Sequence, residues 1–160
     1  MIPGKPDELR VLVIDDDVDA ANSLSYLLQI SGHPTAVAYG GKMGLRLAQL
    51  FKPALVFLDL RMPGEDGCEV LAGARRDGTL PRALYVCLTG VSEPAAESQC
   101  LAAGFNFFVH KPIQPEVLRE ILSAARSHAC LRRQGRPPGD SLPEMLDRRV
   151  QSIGSLLSRA

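Results

Sequence analysis

Tryptophan is absent from the 160 residues, aromatic residues make up only 5% of them, and cysteine and histidine contribute four and three positions. Cys68, Cys87, Cys100 and Cys130 lie far apart with no C-x-x-C pair, and His33, His110 and His128 stand at none of the spacings of a zinc site. A disulfide-stapled scaffold and a zinc ribbon are therefore not indicated, and the cysteines read as reduced, mostly buried thiols. Neither sign of charge predominates: 18 basic and 18 acidic residues give a net charge of 0. Without an overall field, direct contact with nucleic acid or an anionic membrane is not expected. No apolar run approaches the roughly 18 residues of a membrane span, and the opening MIPGKPDELR lacks the apolar core of a signal peptide. The expected location is the cytoplasm.

What is present is a set of short apolar runs alternating with stretches of helical period. Strands are predicted at 9–14, 35–38, 54–58, 83–88 and 106–109, and helices at 19–30, 42–51, 67–76, 94–103 and 115–131. Strict alternation implies an α/β fold with a five-stranded parallel sheet, doubly wound, with helices on both faces. In such sheets ligands sit beyond the C-terminal strand ends, near the point where strand order reverses. The residues at or just past those ends are Asp15, Asp16 and Asp17 after the first strand, Asp59 after the third, Thr89 after the fourth and Lys111 after the fifth.

Their chemistry is specific. Carboxylates without neighbouring His or Cys suit a hard cation, and Mg²⁺ characteristically takes one or two carboxylates, keeps waters and contacts a phosphate. A further aspartate can act as a nucleophile and form an acyl phosphate. A hydroxyl and an ammonium are the donors that a phosphoryl group needs to spread its charge. Asp17 and Asp19 fit a different task, capping and charging the first turn of the first helix.

The ordered set resembles the receiver domain of bacterial two-component response regulators. The resemblance rests on the acidic pair Asp15-Asp16, Asp59 within LDLRMPGEDG, Thr89 within LTG and Lys111 within HKP, and covers roughly residues 8–128. Thirty positions separate Asp59 from Thr89 and 22 separate Thr89 from Lys111, spacings similar to the family's. It implies a flavodoxin-like (βα)5 fold and a phosphorylation-dependent switch rather than an enzyme. Asp59 would accept a phosphoryl group from a histidine kinase or phosphotransfer protein, with Mg²⁺ held by Asp15, Asp16, Asp59 and the Arg61 backbone carbonyl. Thr89 and Lys111 would contact the phosphoryl oxygens, and Phe108 would be the aromatic switch partner of Thr89. The face of the fourth helix, fifth strand and fifth helix would meet a downstream protein or a second copy. Arg61 and Val91, where the family tunes hydrolysis, are not acids, which implies a long-lived phosphoryl group.

Two other readings compete. Asp15-x-Asp17 also resembles the nucleophile motif of haloacid-dehalogenase-type phosphatases, but those need a further acidic strand end after the lysine, and Gly139-Asp140 follows Arg136-Pro137-Pro138 with no strand before it. A receiver-like interaction module that takes no phosphate is the other; the complete Asp16, Asp59, Thr89 and Lys111 set argues against it. Domain organisation reads as a receiver over 8–130, a Gly- and Pro-rich linker over 131–141 and an amphipathic helix over 142–159 opened by the capping box Ser141-x-x-Glu144. That helix is read as folding back on its own domain or lacking stable structure alone, with docking on a partner or a second copy as the competing reading. No output domain is expected in so short a tail, so the chain reads either as a stand-alone receiver, the favoured reading, or as one that resembles the receivers of hybrid sensor kinases.

Overall fold

A computed structural model describes residues 8–90 and 94–135. The chain divides between Lys111 and Pro112 into two compact units. In the first, the apolar run Val11–Ile14 forms strand β1, fully buried. Helix α1 (Val18–Ile30) follows, then β2 (Thr35–Ala38), α2 (Gly41–Phe51) and β3 (Leu55–Asp59). A two-stranded hairpin, β4 (Arg61–Met62) and β5 (Glu65–Asp66), precedes α3 (Gly67–Arg76), β6 (Leu84–Thr89), α4 (Pro94–Ala103) and β7 (Phe107–His110). The second unit holds α5 (Pro115–Arg133), whose buried positions Val117, Leu118, Ile121, Leu122, Ala124 and Ala125 recur at helical spacing.

The main sheet is parallel with the order β2-β1-β3-β6-β7, the doubly wound arrangement expected. β1, β3 and β6 are buried at every residue, as strands covered on both faces must be. Their side chains, Val11 to Ile14, Leu55 to Leu58 and Leu84 to Leu88, make up much of the core. At about 1.5–3 kcal/mol for each large apolar side chain removed from water, this layer dominates the stability.

Helix starts follow the local chemistry. Asp17 caps α1, its carboxylate accepting from Ala20 N–H at 3.1 Å, and Asp19 lies in the first turn, the tasks expected of both. Asp66 caps α3 through the N–H groups of Cys68 and Glu69. Helix α5 opens with Pro115 and runs through Arg133, two residues past the predicted end. Arg132 and Arg133, read as the start of a linker, instead form its last turn, where cations favour the negative end of the helix dipole. The amphipathic helix expected over 142–159 and most of the 131–141 linker lie outside the described residues.

Candidate functional site: a carboxylate cluster at the strand-order switch

β1 has β2 on one side and β3 on the other, so strand order reverses at the β1–β3 seam. There Ile14 pairs with Leu58, and in this register the next residues, Asp15 and Asp59, emerge side by side at the strand ends. Asp15 is held by its N–H donating to the Ala38 carbonyl, and its carboxylate accepts from Asp17 N–H at 3.0 Å. Asp15 and Asp59 are buried, whereas Asp16 reaches the solvent edge.

Each of Asp15, Asp16 and Asp59 presents a carboxylate oxygen within 4.8 Å of the others. Among the described residues this is the one such group of three metal-ligating side chains. Lys111 joins it from the end of β7: its Nζ is 2.6 Å from Asp15 Oδ2 and 3.3 Å from Asp59 Oδ1. The Lys111 backbone N–H donates to the Thr89 carbonyl at 2.7 Å, which ties the ends of β6 and β7 together. Thr89 is buried and ends β6, one residue beyond Leu88, the cross-strand partner of Asp59.

Burial, with the neighbouring Asp15 charge, pushes the Asp59 carboxyl up to about 6, against the pull of the Lys111 ammonium and a hydrogen bond from the Arg61 N–H. Burial also works against the Lys111 ammonium, yet the hydrogen bond to Asp15 and the charges of Asp59 and Asp15 hold its pKa above the usual lysine value. Three carboxylates against one ammonium leave an excess of negative charge on hard oxygen donors, with no imidazole or thiolate in the group. The donor set fits Mg²⁺.

The remaining expected residues are placed as follows. Arg61 opens β4, and its guanidinium pairs with Asp66 at 3.2 Å on the surface. Phe108 is half-buried on β7, its ring edge-on to His110 with centroids 5.3 Å apart. Val91 lies outside the described residues.

Two positioning residues were missed in the sequence. Gly67 starts α3 against the phosphoacceptor candidate's own backbone: a Cβ there would stand 2.5 Å from the Asp59 carbonyl oxygen and 3.1 Å from Leu60 Cα. Its N–H donates to the Leu60 carbonyl at 2.8 Å. Glu65 reaches from the hairpin to α2, accepting from the Gly41 N–H at 2.6 Å and more loosely from Lys42 N–H at 3.4 Å. It supplies the cap that Gly40, without a side chain, cannot. The one available signal is Pro63-Gly64, a turn dipeptide directly before Glu65 and three residues before Gly67, with Gly64 at φ 73°.

Residues 11–123 match the response regulator receiver domain family. Among curated proteins, the chain is 34% identical over 133 residues to the DNA-binding response regulator MtrA of Mycolicibacterium paratuberculosis, a match covering 83% of this chain and 56% of that protein. It is 36% identical over 131 residues to the transcriptional regulatory protein AfsQ1 of Streptomyces coelicolor, covering 82% and 55%. The chain thus spans about half the length of these relatives. Among solved structures, the signal receiver domain of the response regulator NarL from Mycobacterium tuberculosis aligns with a TM-score of 0.65 at 28% identity, covering 74% of this chain and 97% of that one.

These relatives overturn one expectation. Nucleic acid was excluded on the zero net charge, yet MtrA is a DNA-binding regulator. Net charge averaged over a receiver reports on the receiver's own surface and says nothing about DNA contacts made elsewhere in a longer protein. The exclusion of nucleic acid does not stand. As for membranes, no described helix is long and apolar enough to cross one.

Proposed function

The chain belongs to the response-regulator receiver family of two-component systems, and on that premise we propose that Asp59 accepts a phosphoryl group and that this switches the protein's signalling state. One observation carries the reading: at the β1–β3 switch point a buried Asp59, its proton affinity raised, faces Asp15 and the Lys111 ammonium. In transfer from a histidine kinase, an Asp59 carboxylate oxygen attacks the phosphorus of a phosphohistidine. The P–N bond breaks, the imidazole leaves with its electron pair, and an acyl phosphate forms. Asp15, Asp16, Asp59 and the Arg61 carbonyl are the residues that would hold Mg²⁺, which when bound neutralises phosphoryl charge.

Lys111 then exchanges a carboxylate for a phosphoryl oxygen as its partner, and the Thr89 hydroxyl donates to a second oxygen. The pull on Thr89 is the first movement of the switch, with Phe108 following on the neighbouring strand. For the switch to be decisive, the phosphoryl group must favour the active state by a few kcal/mol. By analogy with MtrA, DNA is the proposed target of the longer regulatory assembly in which such a receiver operates.

The test is the intact mass of the purified chain after incubation with a small-molecule phosphodonor, with and without Mg²⁺. A phosphoryl adduct that needs Mg²⁺ and disappears in Asp59→Asn and Asp16→Ala supports the reading. Unchanged transfer in Asp16→Ala refutes the metal assignment. Release of inorganic phosphate that does not need Asp59 favours the phosphatase reading.

A further inference from the structure

Three of the four cysteines, 13 to 32 positions apart in sequence, converge in the fold outside the carboxylate site. Cys68 lies in the first turn of α3, Cys87 in β6 and Cys100 in α4. Cys100 is central: its Sγ is 3.0 Å from Cys68 Sγ and 3.4 Å from Cys87 Sγ. The three differ in access, for Cys87 and Cys100 are fully buried while Cys68 is partly exposed.

We propose that Cys68 and Cys100 form a reversible disulfide that ties α3 to α4, with Cys68 as the point of entry for a low-molecular-weight disulfide. The geometry requires about 1 Å of closure to reach the S–S bond length of about 2.05 Å. No element needs to cross another to achieve it. In the first step the Cys68 thiol loses its proton and its sulfur attacks one sulfur of R–S–S–R. The external S–S bond breaks, and the departing R–S⁻ takes up a proton, leaving a mixed disulfide on Cys68. In the second step Cys100 loses its proton and attacks Cys68 Sγ, expelling the second R–S⁻, which is protonated in turn. Two protein thiols are oxidised and one external disulfide is reduced to two thiols.

The second step is intramolecular between groups already in contact, so the mixed disulfide on Cys68 should not accumulate. The first step is slow by comparison with a surface thiol, because burial and the hydrogen bond with Cys100 hold the Cys68 thiol protonated. Cys130, exposed on α5, is the internal reference for that difference.

The location gives the bond a consequence. Cys68 follows Gly67, which packs on the Asp59 carbonyl, and Cys87 precedes Thr89 by two residues on β6. A covalent tie between Cys68 and Cys100 therefore braces the layer beneath the site without consuming any of its carboxylates.

The experiment incubates the full chain at low concentration with hydroxyethyl disulfide, then alkylates the remaining thiols under denaturing conditions. Unreduced digestion with trypsin and a glutamate-specific protease separates Cys87 from Cys100 by cutting between them at Glu97. The expected product is a peptide pair linked through Cys68 and Cys100, more than about tenfold over the mixed disulfide at Cys68. Cys87 is recovered alkylated, and dithiothreitol reverses the link. In Cys100→Ala the same treatment stops at the mixed disulfide on Cys68. The proposal is overturned by a stable mixed disulfide at Cys68 in the unsubstituted chain, by a Cys87–Cys100 link, or by Cys68 that stays unmodified long after Cys130 is fully converted.

Discussion

The ammonium of Lys111 stands 2.6 Å from the buried carboxylate of Asp15, 96 positions away in sequence. This contact, with the longer one to Asp59, offsets part of the repulsion among carboxylates that the parallel sheet forces together at one rim. The cluster is an expense in folding stability, and its magnitude can be read by removing its parts.

Lys111→Met leaves Asp15 and Asp59 buried without that cation. Because the ammonium is partly exposed, the loss should be on the order of 1–3 kcal/mol, below the full cost of breaking a buried pair. Urea unfolding at pH 8 should show this loss without metal, and Mg²⁺ should restore a larger share of stability to the variant than to the parent.

The raised Asp59 carboxyl sets a pH dependence. Below about pH 4 it is protonated in both folded and unfolded chains and contributes nothing. Between 3.8 and about 6 the unfolded chain has released the proton while the folded one retains it, so stability falls as pH rises through that window. Above about 6 the full penalty is present. Thermal melts without metal should follow this slope, and Asp59→Asn should flatten it and be more stable than the parent at pH 8. Mg²⁺, which requires the ionised carboxylate, should raise the melting temperature more at pH 8 than at pH 5.

Two glycines of α3 should respond with opposite sign. Gly67→Ala places a methyl group against the Asp59 carbonyl and should cost about 1–3 kcal/mol. Gly73→Ala meets only the far end of Arg76 at 3.9 Å and should stabilise the helix by about 0.5–1 kcal/mol. Denaturant midpoints of the two variants measure both.

Glu65→Ala removes the cap of α2 and should cost about 1 kcal/mol, while Glu65→Gln, which keeps an acceptor, should lose less. Equilibrium unfolding in urea distinguishes them.

Much of this was legible in the sequence. The apolar runs at Val11–Ile14, Leu55–Leu58 and Leu84–Leu88 announce buried parallel strands because such strands need no polar face, and the residues that follow them share one rim by the rule of parallel order. That logic brings Asp15, Asp16, Asp59, Thr89 and Lys111 to the same end of the sheet. Glu65 and Gly67 escaped because their tasks are tertiary: one caps a helix 24 positions earlier, and the other leaves space for a backbone that is distant in any local pattern. The sulfur cluster escaped for the same reason, since no spacing relates Cys68, Cys87 and Cys100 until α3, β6 and α4 are side by side. Net charge misleads for a different reason, because an average over one domain carries no information on DNA contacts that a longer relative such as MtrA makes.

Whether Asp59 is the phosphoacceptor is decided by chemical trapping of the modified residue. The chain is treated with a phosphodonor in Mg²⁺, reduced with borohydride, which converts an aspartyl phosphate to homoserine, and mapped by peptide mass spectrometry. The expected product is homoserine at position 59, dependent on both donor and Mg²⁺. Homoserine at another aspartate, or none in a chain shown to be folded, would contradict it.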